Sequence, residues 1–156
     1  MTILAPGVTD LLALARHYAA DPDAWPLAPR FDPARRWYTR LVRADDHEVW
    51  LLTWLPGQAT ELHDHGSAAG AFAVVGGELT EQTVTDRAAA RFATRVVPAG
   101  TARGFGPDYT HRLVNAGTRP AVSVHAYAPT LRTMTTYEIA GGAVRPVAVS
   151  QAGVDW

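Results

Sequence analysis

Apolar positions change their period once along this chain. Leu11, Leu12, Leu14, Ala15 and Tyr18 recur at helical spacing, behind capping side chains offered by Thr9 and Asp10. This helix should stop before Pro22, and the four prolines between residues 21 and 33 make an irregular connection. Beyond it the pattern is strand-like. Runs rich in Val, Thr, Trp, Tyr and Leu occupy 36–44, 48–55, 59–65, 71–84, 91–97, 110–116, 121–128, 133–139 and 143–149. Turn residues punctuate them: Asp45-Asp46, Pro56-Gly57, Gly76-Gly77, Pro98-Ala99-Gly100, Gly104 with Gly106-Pro107, Ala116-Gly117 and Gly141-Gly142. The alanines at 88–90 suit the tip of a hairpin. Strands at this spacing predict an all-β double-sheet jelly roll or closed barrel, with the helix packed outside it. Residues 1–35 would supply the helix and connector and 36–156 the barrel, in one domain of 156 residues.

Composition narrows the function classes. The net charge of −1 lacks the basic excess that a nucleic-acid partner usually requires. No run approaches the roughly 20 apolar residues that span a bilayer, and the N-terminus does not read as a secretory signal. The chain has no cysteine, so disulfides and thiolate ligands are excluded and a cytoplasmic location is expected. The sequence leaves the oligomeric state open, a monomer included.

The chemistry concentrates on histidine. His63 and His65 stand two apart in ELHDHG, and residues i and i+2 of a strand share a face. Both imidazoles would then enter one space while Asp64 turns away. His111, in HRLVN, is a third imidazole in strand-like sequence. Three convergent imidazoles describe a site for a borderline first-row cation. Glu61 shares the parity of His63 but reads better as a rim residue, since two histidines already fill that face. His17 and His47 are expected to face solvent, while Met134 and the tryptophans at 37, 50 and 54 suit wall and core packing.

Gly57 closes a turn six positions before His63, Pro98-Ala99-Gly100 forms another ahead of His111, and Asn115 follows His111 by four. These features resemble the two motifs of the cupin superfamily, a small β-barrel fold whose ligands project inward from neighbouring strands. Many cupins place a glutamate five positions after the second histidine of the pair. Gly70 stands there in this chain, so the resemblance implies a neutral three-histidine site. Two further segments narrow the likeness: YTRLV, with Tyr38 and Arg40, and SVHAYAP, with Ser123, His125 and Tyr127. The ordered set YTR, PG with HDHG, GELTE, HRLVN and SVHAYAP, over residues 37 to 129, resembles the cysteine dioxygenase family of thiol dioxygenases.

That resemblance implies ferrous iron, Fe(II), on His63, His65 and His111, with Arg40, beside Tyr38, holding the substrate carboxylate. A guanidinium fork matches a carboxylate and stays charged. Ser123, His125 and Tyr127 share strand parity and can form a hydrogen-bonded relay ending on the phenol. The resemblance places Tyr127 beside substrate and oxygen, as hydrogen-bond partner or as manager of a proton. Animal members of the family carry a cysteine at the Gly70 position, linked by a thioether to this tyrosine. Tyr127 must remain an uncrosslinked phenol, as in the bacterial branch. The expected reaction is oxidation of L-cysteine by dioxygen to cysteine sulfinate, at the sulfinic level of the oxidation ladder. Two other readings stand beside it. Relatives that prefer 3-mercaptopropionate typically show glutamine where Arg40 stands, and a cupin can also bind a metal or small ligand without catalysis.

Overall fold

The computed structural model describes residues 8–152, with the side chains of residues 8 and 9 outside the description. Helix α1 runs from Val8 to Ala20, and a single 3-10 turn follows at Pro22–Ala24. The helix therefore begins ahead of the expected cap. Thr9 and Asp10 lie in its first turn, and the capping role expected of the Thr9 side chain falls outside the described residues. Eleven strands follow among the described residues: β1 Trp37–Arg43, β2 Glu48–Trp54, β3 Leu62–His63, β4 Ala69–Gly76, β5 Glu78–Asp86, β6 Arg91–Pro98, β7 Ala102–Phe105, β8 His111–Val114, β9 Ala121–Ala128, β10 Thr133–Ala140 and β11 Ala143–Gln151.

Two antiparallel sheets face one another. One has the order β1-β2-β9-β4-β7 and the other β11-β10-β3-β8-β5-β6. This is the double-sheet jelly roll that the strand pattern predicts. The run expected at 71–84 is divided at Gly76-Gly77 into β4 and β5, which belong to different sheets. Gly77 has φ +68°, and a Cβ there would lie 2.5 Å from the Pro120 carbonyl oxygen, so this crossing requires glycine. Strand β7 is an addition to the sequence reading, and the run at 59–65 shrinks to the two residues of β3.

Strand β2 is buried along its whole length because both its faces are covered. Trp50, Leu52 and Trp54 point between the sheets and meet Phe72, Leu79, Val97, Phe105, Leu113 and Tyr127. Val49 and Leu51 point outward and are covered by Leu11 and Ala15 of α1, together with Ala71, Ala73, Val124 and Ala126. The helix thus packs against the outer face of the first sheet, which leaves the space between the sheets for chemistry. Among the described residues no helix is long and apolar enough to cross a membrane.

Candidate metal centre and active site

One ligand atom from each of His63, His65 and His111 lies within 4.8 Å of the others, and all three residues are buried. His63 and His111 are directly paired across β3 and β8. His65 arrives differently from the strand-parity expectation, because β3 ends at His63. Asp64 makes the difference. Its carboxylate accepts the Tyr137 hydroxyl at 2.6 Å and the Gly66 amide at 3.0 Å, and its own amide donates to the Thr135 carbonyl at 2.9 Å. These bonds turn Asp64 away from the barrel and direct His65 inward. The ring of His65 stacks on Phe105, with centroids 5.0 Å apart and planes at 25°.

The rings are oriented from behind. His63 Nδ1 lies 2.7 Å from the Glu61 carbonyl oxygen, and His111 Nδ1 lies 2.8 Å from Glu81 Oε2. Both contacts place the ring proton on Nδ1 and leave the Nε2 lone pairs for a ligand. His63 Nε2 and His65 Nε2 are 3.2 Å apart, while His65 Nδ1 is buried without a hydrogen-bond partner. Glu61 itself is exposed at the cavity rim and acts through its backbone, not its carboxylate. Burial holds the His63 imidazole down to about 3, with the His111 charge adding to the effect. Burial likewise keeps His65 well below the ordinary range, reinforced by the histidines around it. These rings are neutral near pH 7, as ligands must be. The donor set therefore fits a divalent borderline cation, held by three imidazole nitrogens with positions left for other ligands.

Sequence reasoning assigned no role to Glu81, which is fully buried in β5. Its carboxylate bridges His111 and Arg103, whose Nε lies 3.3 Å away. Burial alone would push its carboxyl up, but the His111 hydrogen bond and the charges of His111 and Arg103 hold it below the usual range. An ionised carboxylate behind a ligating imidazole raises its basicity and fixes its direction. We expect Glu81→Gln to weaken metal affinity about 10- to 100-fold in chelator competition. Unchanged affinity would show that the carboxylate has no hold on the centre.

A cavity of about 320 Å³ opens onto His63 and His111 and is walled by Arg36, Leu52, Trp54, His125, Tyr127 and Met134, among others. Strand β9 brings Ser123, His125 and Tyr127 to the same interior face. Trp54 Nε1 donates to Ser123 Oγ at 2.9 Å, Ser123 Oγ lies 2.8 Å from His125 Nε2, and His125 Nδ1 is 3.5 Å from the Tyr127 hydroxyl. The first two links are firm and the last is long. Burial keeps His125 well below its ordinary range, hence neutral. Burial and the Glu48 charge push the Tyr127 phenol up, against the opposing pull of Arg36, so it keeps its proton.

Arg40 and Tyr38 stand elsewhere than the cavity wall. Arg40 is more than a third exposed, with Nη1 3.7 Å from Glu48 Oε2 and its guanidinium 5.4 Å from the Trp50 ring centroid. Tyr38 meets Trp50 edge-on, with centroids 6.0 Å apart. His17 is exposed, whereas His47 is half-buried against Asp46 at 2.8 Å.

A family model described as Cysteine dioxygenase type I matches residues 5–140. The chain belongs to this cysteine dioxygenase family. It is 26% identical to human cysteine dioxygenase type 1 over 141 residues, covering 84% of this chain and 70% of that one. The zebrafish (Danio rerio) enzyme is 26% identical over 143 residues, with the same coverage. Among solved structures, a Thermus thermophilus protein, TT1209, superposes with a TM-score of 0.58 at 20% identity, over 65% of this chain and 90% of that one. A Klebsiella pneumoniae protein with a double-stranded β-helix domain gives a TM-score of 0.58 at 19% identity, over 83% and 87%. These likenesses support the cupin fold, and the family supports a dioxygenase-type enzyme.

The position at which animal members of the cysteine dioxygenase family carry a crosslinking cysteine is closed here. A Cβ on Gly70 would lie 2.5 Å from two Phe105 ring carbons and 3.0 Å from Tyr127 Cδ1. Phe105 fills that space, between His65 and Tyr109. Gly70→Cys should cost about 1–3 kcal/mol through overpacking and form no thioether to Tyr127. Denaturant unfolding and intact-mass measurement check both. Spontaneous crosslinking at full stability would contradict this view of Phe105.

Proposed function

We propose that this protein is an iron(II)-dependent thiol dioxygenase that oxidises L-cysteine to cysteine sulfinate. The observation that carries the reading is the meeting of three buried imidazoles, two of them lining one small cavity together with the protonated Tyr127 phenol. Membership of the cysteine dioxygenase family supports it. His63, His65 and His111 would hold the metal, which supplies a Lewis-acidic, redox-active centre where a thiol loses its proton and dioxygen is reduced.

The reaction balances without a further reductant. One thiol and one dioxygen give one sulfinic acid, sulfur losing the four electrons that dioxygen accepts. The chain's own part is orientation and proton control. With Trp54 donating to Ser123, the serine hydroxyl proton is available to His125 Nε2. The His125 proton then sits on Nδ1, toward the Tyr127 oxygen, and the phenolic proton is left for the cavity. Tyr127 would thereby donate to bound substrate or oxygen while remaining a phenol. The walls from Leu52, Trp54, Leu113 and Met134 limit water around the reacting sulfur.

Oxygen uptake by the anaerobically iron-loaded protein, with L-cysteine, 3-mercaptopropionate and cysteamine in parallel, tests the proposal. Highest kcat/KM for L-cysteine with sulfinate as product is expected. Preference for 3-mercaptopropionate would move the substrate to that thiol acid. Absence of uptake with any thiol, metal being bound, would favour a non-catalytic binding cupin.

A further inference from the structure

One side chain outside the cavity reaches the chain neighbours of all three histidines. Arg87 stands in the turn between β5 and β6, where its carbonyl oxygen accepts the Val144 amide at 2.7 Å. Its Nη2 donates to Thr110 Oγ1 at 2.7 Å, and its Nη1 donates to the Tyr137 hydroxyl at 3.3 Å. The guanidinium carbon also lies 4.7 Å from the Tyr137 ring centroid. Tyr137 donates in turn to Asp64 Oδ2 at 2.6 Å. Burial and the Asp64 hydrogen bond push the Tyr137 phenol up, against the pull of Arg87, so it stays a donor. Thr110 is buried and directly precedes His111, while Asp64 stands between His63 and His65.

The histidines need this frame unequally. His63 and His111 are paired across β3 and β8, and each has an oxygen behind its Nδ1. His65 lies beyond the end of β3, and its Nδ1 has no hydrogen-bond partner. Its direction therefore depends on the Phe105 stack and on how firmly the Asp64 turn is held. Asp64 Oδ1 accepts the Gly66 and Thr135 amides at 3.0 and 3.3 Å, and Tyr137 takes the other oxygen. A binding constellation tolerates misplacement of only about 0.5 Å. A guanidinium donates in two directions from one rigid plane, so each partner resists displacement of the other. Arg87 is itself exposed, where a substitution usually changes folding stability little.

We propose that Arg87 is a positioning residue of the metal centre, holding in one frame the residues that flank all three ligands, Thr110 directly and Asp64 through Tyr137. Arg87 and Tyr137 stand outside the cavity wall, so they act only through the directions of the imidazoles. The role rests on the three histidines being a metal site, and not on the reaction run there.

Cobalt(II) is the probe, because its visible spectrum reports ligand geometry as well as occupancy. Arg87→Met keeps the stem over Tyr137 and deletes every donor, Tyr137→Phe deletes the hydroxyl alone, and Thr110→Val deletes the other acceptor. Each should weaken cobalt binding about tenfold in chelator competition and change the spectrum of the bound ion. Adding Thr110→Val to Arg87→Met should cost almost nothing further, since that bond is already gone. Arg91→Met, an exposed arginine at the start of β6, should leave affinity and spectrum unchanged. Urea midpoints of the metal-free Arg87→Met and Arg91→Met proteins should agree, which separates positioning from folding. Unchanged affinity and spectrum in Arg87→Met and Tyr137→Phe would overturn the proposal. So would an equal loss in Arg91→Met, or a loss in Arg87→Met matched by collapse of its metal-free stability. If the unaltered protein binds no cobalt, the metal site itself is wrongly assigned and this role goes with it. No thiol or oxygen enters the measurement, so its outcome is independent of the oxygen-uptake assay.

Discussion

Alanine at His111 is expected to remove both the metal and a large part of the fold's stability, whereas alanine at His65 should remove the metal and much less of the stability. Each variant deletes one of three ligands, and turnover should fall at least about 1,000-fold in each, as for other residues that act as a unit. Their partners differ. His111 Nδ1 holds the fully buried Glu81 carboxylate at 2.8 Å, and without it that charge keeps only Arg103 at 3.3 Å. Breaking one side of a buried ionic network costs about 3–5 kcal/mol, because an uncompensated charge stays behind. The His65 Nδ1 atom has no hydrogen-bond partner to lose, so its truncation costs mainly packing against Phe105 and Tyr127. Urea unfolding of the metal-free proteins would reveal the difference. A His65→Ala chain as unstable as His111→Ala would mean that Glu81 does not anchor the centre.

The metal-free protein should also lose stability steeply as pH falls from 7 to 5. Burial holds His63 at about 3, and keeps His65 and His125 well below the ordinary histidine range. In the unfolded chain all three titrate near pH 6.5. Between that value and their folded values the unfolded state binds protons that the folded state refuses. Stability therefore rises with pH across this window and is lost as pH drops below about 6.5. Each histidine contributes up to about 1.4 kcal/mol per pH unit, so the three together cost up to about 6 kcal/mol between pH 7 and pH 5. That is a large share of a typical domain's stability. Urea midpoints at the two pH values measure it, and equal midpoints would mean that these imidazoles protonate inside the folded barrel.

Much of this architecture was legible in the sequence, for identifiable reasons. Turn residues bracket the longer strands, and Gly76-Gly77 marks a genuine crossing between sheets. Strand β7 escaped notice because its four residues lie between two glycine-containing turns and include Gly104. The histidine triad was legible as residue types, but strand parity accounts for His63 and His111 alone. His65 converges because the turn anchored by Asp64 delivers it, through partners more than 70 positions away in sequence. Glu81 shares the face of Leu79 on β5, yet alternation gives an acid no reason to point inward without knowing that His111 waits on β8. Arg36 offered a similar hint in its parity with Tyr38 and Arg40. Only the β1–β2 register shows that Arg36, beside Trp54, reaches the cavity while Arg40 meets Glu48.

Isotope incorporation tests the central claim most directly. The iron(II)-loaded protein, given L-cysteine under oxygen-18 gas in ordinary water, should form cysteine sulfinate with the heavy isotope at both sulfinate oxygens. A sulfinate carrying oxygen from water, or cystine as the sole product, would contradict the account.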